Sequence, residues 1–177
     1  MLTLPSDIVV EAASAGGSVV NFEATANDAE DGALGVLFSR QPGTVFPVGT
    51  TQVTATAQDS KGATATGTFN VTVRDTTAPA IQSLTASPSV ITKANNKMTA
   101  VVITAGVADA VDSTPTTRIV SVTGSEDITG DWQITGPLTL EVRAERTGKT
   151  SRVYTVTVES RDVAGNVSTR TVTVTVR

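Results

Sequence analysis

Apolar and polar residues alternate with a period of two along most of this chain. Successive side chains of a strand point to opposite faces, so such a pattern folds as half-buried β-sheet and as little else. Val20, Phe22, Ala24 and Ala26 share one face, with Asn21, Glu23 and Thr25 on the other. Val53, Ala55 and Ala57 make a second series, and Phe69, Val71 and Val73 a third. Later come Val101, Ile103, Ala105 and Val107, then Leu138, Leu140, Val142 and Ala144. Tyr154, Val156 and Val158 follow, and Val172, Val174 and Val176 close the chain. No window keeps helical spacing over a helical length. Thr and Val together supply about a third of the residues, and both are β-branched, which favours strands. Aromatic residues are only 3% against 39% hydrophobic, which predicts a thin aliphatic core of the kind two sheets enclose across roughly 10 Å.

The series come in matched sets, and a repeat of this length marks a tandem of similar units. Ala26, Asp28, Ala29 and Asp31 recur more loosely around Asp109, Ala110 and Asp112. Asp59-Ser60-Lys61-Gly62 answers Asp162-Val163-Ala164-Gly165. Phe69 answers Val172, and both copies end in VTVR, at Arg74 and Arg177. The expected domains are therefore 1–76 and 77–177, joined through Asp75-Thr76-Thr77-Ala78-Pro79. Pro79 holds its neighbour extended and makes that linker short and stiff. Each copy has about seven short strands separated by Gly, Pro, Asn and Asp turns. This predicts two antiparallel immunoglobulin-like β-sandwiches with Greek-key connections. Tyr154 sits where such sandwiches bury a tyrosine with its hydroxyl tied to backbone.

PSDIVVEA at 5–12, VVNFEATANDAEDG at 19–32 and PGTVFPVGTTQVTATAQDSKG at 42–62, closed by GTFNVTVRDTTAP, resemble the hyalin repeat (HYR) family. The resemblance covers residues 4–79, and Phe46-Pro47-Val48-Gly49-Thr50-Thr51 is its most specific part. The second domain is similar to an Ig-like or fibronectin-III-like module that often follows such repeats in bacterial secreted proteins. SLTASPSVI, NKMTAVVIT, DWQITGPLTLEVRAER and RVYTVTVESRDVAGN carry that likeness. It departs from the module at Thr92-Lys93-Ala94-Asn95-Asn96, where the family has a proline-rich stretch ending in histidine. The resemblance implies a non-catalytic module of a multidomain extracellular protein, with a part in adhesion or spacing. Physically, Phe46 and Val48 are expected to dip into the core on either side of Pro47, making a rigid crossover between sheets.

Composition narrows the chemistry. With no His and no Cys, nucleophile arrangements built on either residue are excluded, as are the common zinc sites. Net charge is −4, and thirteen scattered Lys and Arg form no basic stripe for nucleic acid. No apolar run approaches the ~18 residues of a membrane span. Met1-Leu2-Thr3 lacks the features of a secretory signal, so the chain reads as an excised piece of something larger. Absence of Cys fits a bacterial secreted or surface protein, where disulfide-free arrays fold by core burial. Lys61, Lys93, Lys97 and Lys149 read as turn residues, which argues against a lysine–asparagine crosslink.

The acidic turns allow two readings. In a seven-strand sandwich, the loops after the second and sixth strands lie at the pole where the chain enters. Asp109, Asp112 and Asp162 would then meet Asp75 of the linker, and four carboxylates would converge on Ca²⁺, stiffening the domain junction. Asp28, Asp31 and Asp59, with Asn27 and Glu30, would make a weaker, incomplete site at the pole of the first domain. The alternative is that these residues shape their own turns, because Asp side chains bond nearby backbone. Trp132, flanked by Asp131 and Gln133, is the single candidate sugar platform. The last strand, rich in Thr and Arg, is a candidate edge for pairing with another chain. The reading is a structural spacer or adhesion-type pair, exposed outside the cell or at its surface. Its partners would be neighbouring domains of the parent chain and a cell-surface protein or polysaccharide. A carbohydrate-binding accessory module of a secreted enzyme is the alternative.

Overall fold

In the computed structural model, which describes residues 1–177, the alternating series become strands of two separate units, Met1–Thr76 and Thr77–Arg177. The first unit has nine strands: β1 (Leu2–Thr3), β2 (Ile8–Glu11), β3 (Ser18–Val20), β4 (Thr25–Asp28), β5 (Gly32–Leu34), β6 (Val36–Phe38), β7 (Thr44–Phe46), β8 (Gly49–Gln58) and β9 (Thr64–Arg74). They form a four-stranded sheet in the order β2-β9-β8-β6, a three-stranded sheet β1-β4-β5 and the pair β3-β7. Pairing is antiparallel except for β2, which runs parallel to β9. The Glu11 carboxylate locks this parallel pair at its end, accepting from the Thr76 amide at 2.8 Å and its hydroxyl at 2.6 Å.

The two layers meet on phenylalanine. Phe22 places its ring edge-to-face against Phe38, Phe46 and Phe69, at 5.2, 6.0 and 5.0 Å between centroids. Around these rings, Val53, Ala55, Ala57, Val71 and Val73 of the β8–β9 hairpin are buried, as their spacing predicts. The series Val20 to Ala26 is not one strand. It breaks at residues 21–24, because β3 pairs with β7 whereas β4 pairs with β1 and β5. The alternation survives the break, with Val20, Phe22 and Ala26 buried and Asn21, Glu23 and Thr25 exposed. Val48 departs from expectation. Phe46 is fully buried, but Val48 stays 46% exposed, because the chain has already turned outward at Pro47 towards Gly49.

One glycine in this unit has no substitute. Gly17 has φ of +105°, and a Cβ there would lie 1.8 Å from the Phe46 carbonyl oxygen. Gly17→Ala therefore has to push β3 away from β7. We expect it to destabilise the first unit by about 2 kcal/mol. Gly16→Ala, whose Cβ would meet only Ser14 Oγ at 3.6 Å, should be nearly silent. Urea unfolding of the two variants checks the difference, and equal midpoints would refute it.

The second unit has eight strands: β10 (Ala80–Ser87), β11 (Val90–Ile91), β12 (Met98–Ala108), β13 (Thr116–Gly124), β14 (Trp132–Gly136), β15 (Thr139–Arg143), β16 (Arg152–Arg161) and β17 (Val167–Val176). Two four-stranded sheets, β10-β12-β15-β14 and β11-β17-β16-β13, face each other as a Greek-key sandwich. Its core is aliphatic, built from Val101, Ile103, Leu140, Val142, Val156, Val158, Val174 and Val176 among others, with Tyr154 as the one fully buried aromatic. The last strand is not the free edge that its composition suggests. β17 lies between β16 and β11, and β11 runs parallel to it at Thr175 and Val176. Beside its other half, Arg170 donates to the carbonyls of Ile81 (3.0 Å) and Gln82 (2.8 Å), and Ser168 to that of Pro79. Side chains thus close the seam where β10 diverges into the opposite sheet. No helix of the structure is long and apolar enough to cross a membrane.

Candidate functional site

The acidic loops occupy equivalent places in the two units and carry closely similar bonds. Asp28 Oδ1 accepts from the amides of Glu30 (2.9 Å) and Asp31 (3.2 Å). Asp109 Oδ1 accepts from those of Val111 and Asp112, both at 2.8 Å. These are Asx turns, in which the side chain stands in for a backbone acceptor. Farther along, Asp59 Oδ1 accepts from the amides of Lys61 (2.9 Å) and Ala63 (2.8 Å). Asp162 accepts from the Asn166 amide and its Nδ2, each at 2.8 Å. Gly62 and Gly165 donate to the carbonyls of Asp59 and Asp162, both at 3.2 Å. Their φ values, +85° and +97°, explain why the fourth turn position is glycine in both copies.

The second aspartate of each loop reaches across to the other loop. Asp31 Oδ2 accepts from the Ser60 amide at 2.8 Å, and its Oδ1 from the Ser60 hydroxyl at 2.9 Å. Asp112 Oδ2 accepts from the Val163 amide at 2.9 Å, while its Oδ1 takes the Thr114 amide at 2.8 Å. Ser60 and Val163 are the same turn position, one residue past Asp59 and Asp162. In the first unit Lys61 also pairs with Glu30 across the loops, largely in solvent. Asp75 follows β9 in the first unit and is half-buried. No group of three or more His, Cys, Asp or Glu side chains is placed so that it could hold a metal ion.

Burial works against the charged form of Asp162, but the bonds from Asn166 outweigh it and hold the carboxyl below its ordinary value. Asp7, Asp28 and Asp127 are also lowered, first by the amides of Asn70, Glu30 and Thr129 respectively. Glu126 is lowered by the Arg152 guanidinium. A carboxyl lowered in the folded state contributes stability above its unfolded value and loses it as pH falls through the folded value. The ordinary values are 3.8 for aspartate and 4.5 for glutamate, and there is no histidine to titrate nearer neutrality. Melting temperature should therefore hold level from pH 7 to about 5 and fall steeply below about 4. A melt series across this range checks it, and a decline that begins at pH 6 would contradict it.

A second polar cluster lies in the second unit, and its main residue is one that composition does not flag. Arg152 is 3% exposed. Its Nε donates to Glu126 Oε1 at 2.5 Å and its Nη1 to Asp131 Oδ2 at 2.6 Å and to the Tyr154 hydroxyl at 3.2 Å. Asp131 Oδ1 accepts from Arg143 Nε at 2.6 Å. Burial alone would lower the Arg152 guanidinium, but the bonds to Glu126, Tyr154 and Asp131 more than reverse it, and burial pushes the Tyr154 phenol up. The Tyr154 hydroxyl donates to the Arg143 carbonyl at 2.8 Å, the backbone tie expected of a tyrosine there. The signal for Arg152 was present in the alternation. Counting back by two from Val158 through Val156 and Tyr154 reaches Arg152, an inward position filled by a charge.

Trp132 is half-buried at the start of β14 and packs against the core of the second unit. Asp131 beside it has both carboxylate oxygens on arginines, so it is not a free partner for a sugar hydroxyl. Lys61, Lys93, Lys97 and Lys149 are all exposed, the wrong environment for a buried lysine crosslink.

Residues 4–73 match the model of the HYR domain. Two proteins called Hyalin share sequence with the chain. The one from Lytechinus variegatus is 44% identical over 98 residues, which are 52% of this chain and 18% of that protein. The one from Strongylocentrotus purpuratus is 42% identical over 86 residues, 46% of this chain and 7% of that protein. The chain thus spans less than a fifth of either relative. Among solved structures, the fibronectin(III)-like modules of Clostridium thermocellum CbhA align over 100% of this chain and 94% of theirs, at 15% identity and a TM-score of 0.34. Cadherin domains 1–4 of protocadherin Gamma B7 align over 98% of this chain and 49% of theirs, at 15% identity and a TM-score of 0.34. The fold assignment rests on the strand pairing above.

Proposed function

We propose that this chain is a non-catalytic pair of structural modules, an adhesion-type spacer within a larger extracellular protein. The observation that carries the reading is the HYR match over residues 4–73, followed in the same chain by a second sandwich. The absence of cysteine fits a bacterial secreted or surface protein whose domains fold by core burial without disulfides. Its partners are the neighbouring domains of the parent chain, and through them a cell-surface protein or polysaccharide.

Carbohydrate binding is the reading to test against it, and Trp132 makes the test simple. It is the sole tryptophan, and it lies on β14 where a sugar stacked on the sheet edge would change its emission. A spacer predicts unchanged fluorescence through titration with a panel of soluble polysaccharides. A saturable shift abolished by Trp132→Ala would replace the spacer with a carbohydrate-binding accessory module.

A further inference from the structure

We propose that Asp31 and Asp112 are loop latches that hold the acidic loops of each unit closed without a metal ion, each by taking the backbone amide of the facing turn. Three observations lead there. The bond recurs in both units at the equivalent residue, at 2.8 and 2.9 Å. It is made to backbone and not to a particular side chain, since the capped residue is Ser60 in one unit and Val163 in the other. And each of these carboxylates already has at least one oxygen facing N–H donors: Asp109 and Asp59 take two amides each on Oδ1, Asp112 takes one on each oxygen, and Asp162 takes Asn166 twice. N–H groups aimed at these oxygens put positive dipole ends where a cation would have to sit. No three of the carboxylates stand together to outweigh them.

The latch also accounts for the spacing of the repeat. The first aspartate of each acidic loop caps its own turn, and that turn presents the second, three residues on, to the facing loop. The glycine turn on the other side is shaped by its own aspartate, which leaves the next amide pointing outward for capture. Three side chains with backbone partners thus tie two loops into one rigid pole in each unit. A cation-bridged version would instead gather carboxylates around a common point.

Residue-resolved amide exchange on the whole chain tests this, because exchange reads the opening of individual bonds. In unmodified protein at matched ionic strength, the Ser60 and Val163 amides should exchange at the same rate in 5 mM Ca²⁺ and in excess EDTA. Asp31→Ala should speed exchange at Ser60, and Asp112→Ala at Val163, by about ten-fold or more, the scale of losing a hydrogen bond to a charged acceptor. The Glu30 and Val111 amides, capped by Asp28 and Asp109, should change much less. Asp31→Asn and Asp112→Asn keep an acceptor oxygen and should recover most of the protection. Ten-fold slower exchange at either amide in Ca²⁺ than in EDTA would overturn the proposal in favour of an ion. Unchanged exchange in folded alanine variants would overturn it in favour of independent loops. The calcium arm needs no variant, so it decides even if an alanine substitution prevents folding.

Discussion

Arg152→Met is expected to lower the stability of the second unit by about 3 kcal/mol. Removing one partner of a buried ion pair costs about 3–5 kcal/mol, because it strands the other charge away from water. Glu126 and Asp131 keep 23% and 16% of their side-chain surface, so some water reaches them and the lower end of that range applies. Asp131 also retains Arg143, at 2.6 Å. What the variant loses outright is the hub, since one guanidinium reaches Glu126, Asp131 and the Tyr154 hydroxyl at once. Arg152→Lys should recover part of the loss and no more, since a point-charge ammonium lacks the planar fork. The second unit holds both the sole Trp and the sole Tyr, so tryptophan fluorescence follows its unfolding alone. For a unit of this size, about 3 kcal/mol lowers the melting temperature by about 12 °C or more. Adding Glu126→Gln and Asp131→Asn to Arg152→Met separates the causes. If stranded charge is the cost, the triple variant is more stable than the single one. If packing is the cost, it is no better. A single variant within 1 kcal/mol of the parent would show that the cluster is decorative.

How much of this was legible beforehand divides along a physical line. Period-two alternation reports which face of a strand is buried, and it placed Val53 to Ala57, Phe69 to Val73 and Tyr154 to Val158 correctly. The same alternation does not report when a strand changes sheets. Residues 21–24 keep their in–out order through a break that only the pairing of β3 with β7 and β4 with β5 reveals. Val48 fails for a related reason, since Pro47 turns the chain and ends the strand geometry on which the count relies. The repeat register correctly matched Asp28 with Asp109, Asp31 with Asp112 and Asp59 with Asp162. It could not show that Asp31 meets Ser60, 29 residues away, or that Asp112 meets Val163, 51 residues away. Those contacts follow from strand order, which brings two loops to one end of the sandwich. Arg152 is the reverse case. Its inward position was countable, but a charge in a core series is easily passed over until its partners are seen.

Phe22→Ala is expected to bring the first unit close to unfolding at 25 °C. Deleting a buried phenylalanine costs about 3–5 kcal/mol through lost burial and the cavity left behind. Phe22 is 8% exposed and makes three edge-to-face contacts, each worth about 0.5–1.5 kcal/mol beyond its burial. That places it at the upper end, about 5 kcal/mol. A unit of 76 residues has a total stability of only about 4–11 kcal/mol. The position within the core matters more than ring count. Phe38 touches the same cluster through one contact and is only half-buried at the end of β6, so Phe38→Ala should cost about 2 kcal/mol. Phe22→Leu, which keeps most of the volume but no ring edge, should fall between them. Amide signals of the first unit, followed in urea, give the order, while Trp132 emission gives the second unit in the same sample. The expected result is loss of the first transition with the second retained. Equal costs for Phe22→Ala and Phe38→Ala would mean that the rings share the load evenly and that the core has no centre. That outcome would conflict with the geometry, in which Phe38, Phe46 and Phe69 all have their ring contacts through Phe22.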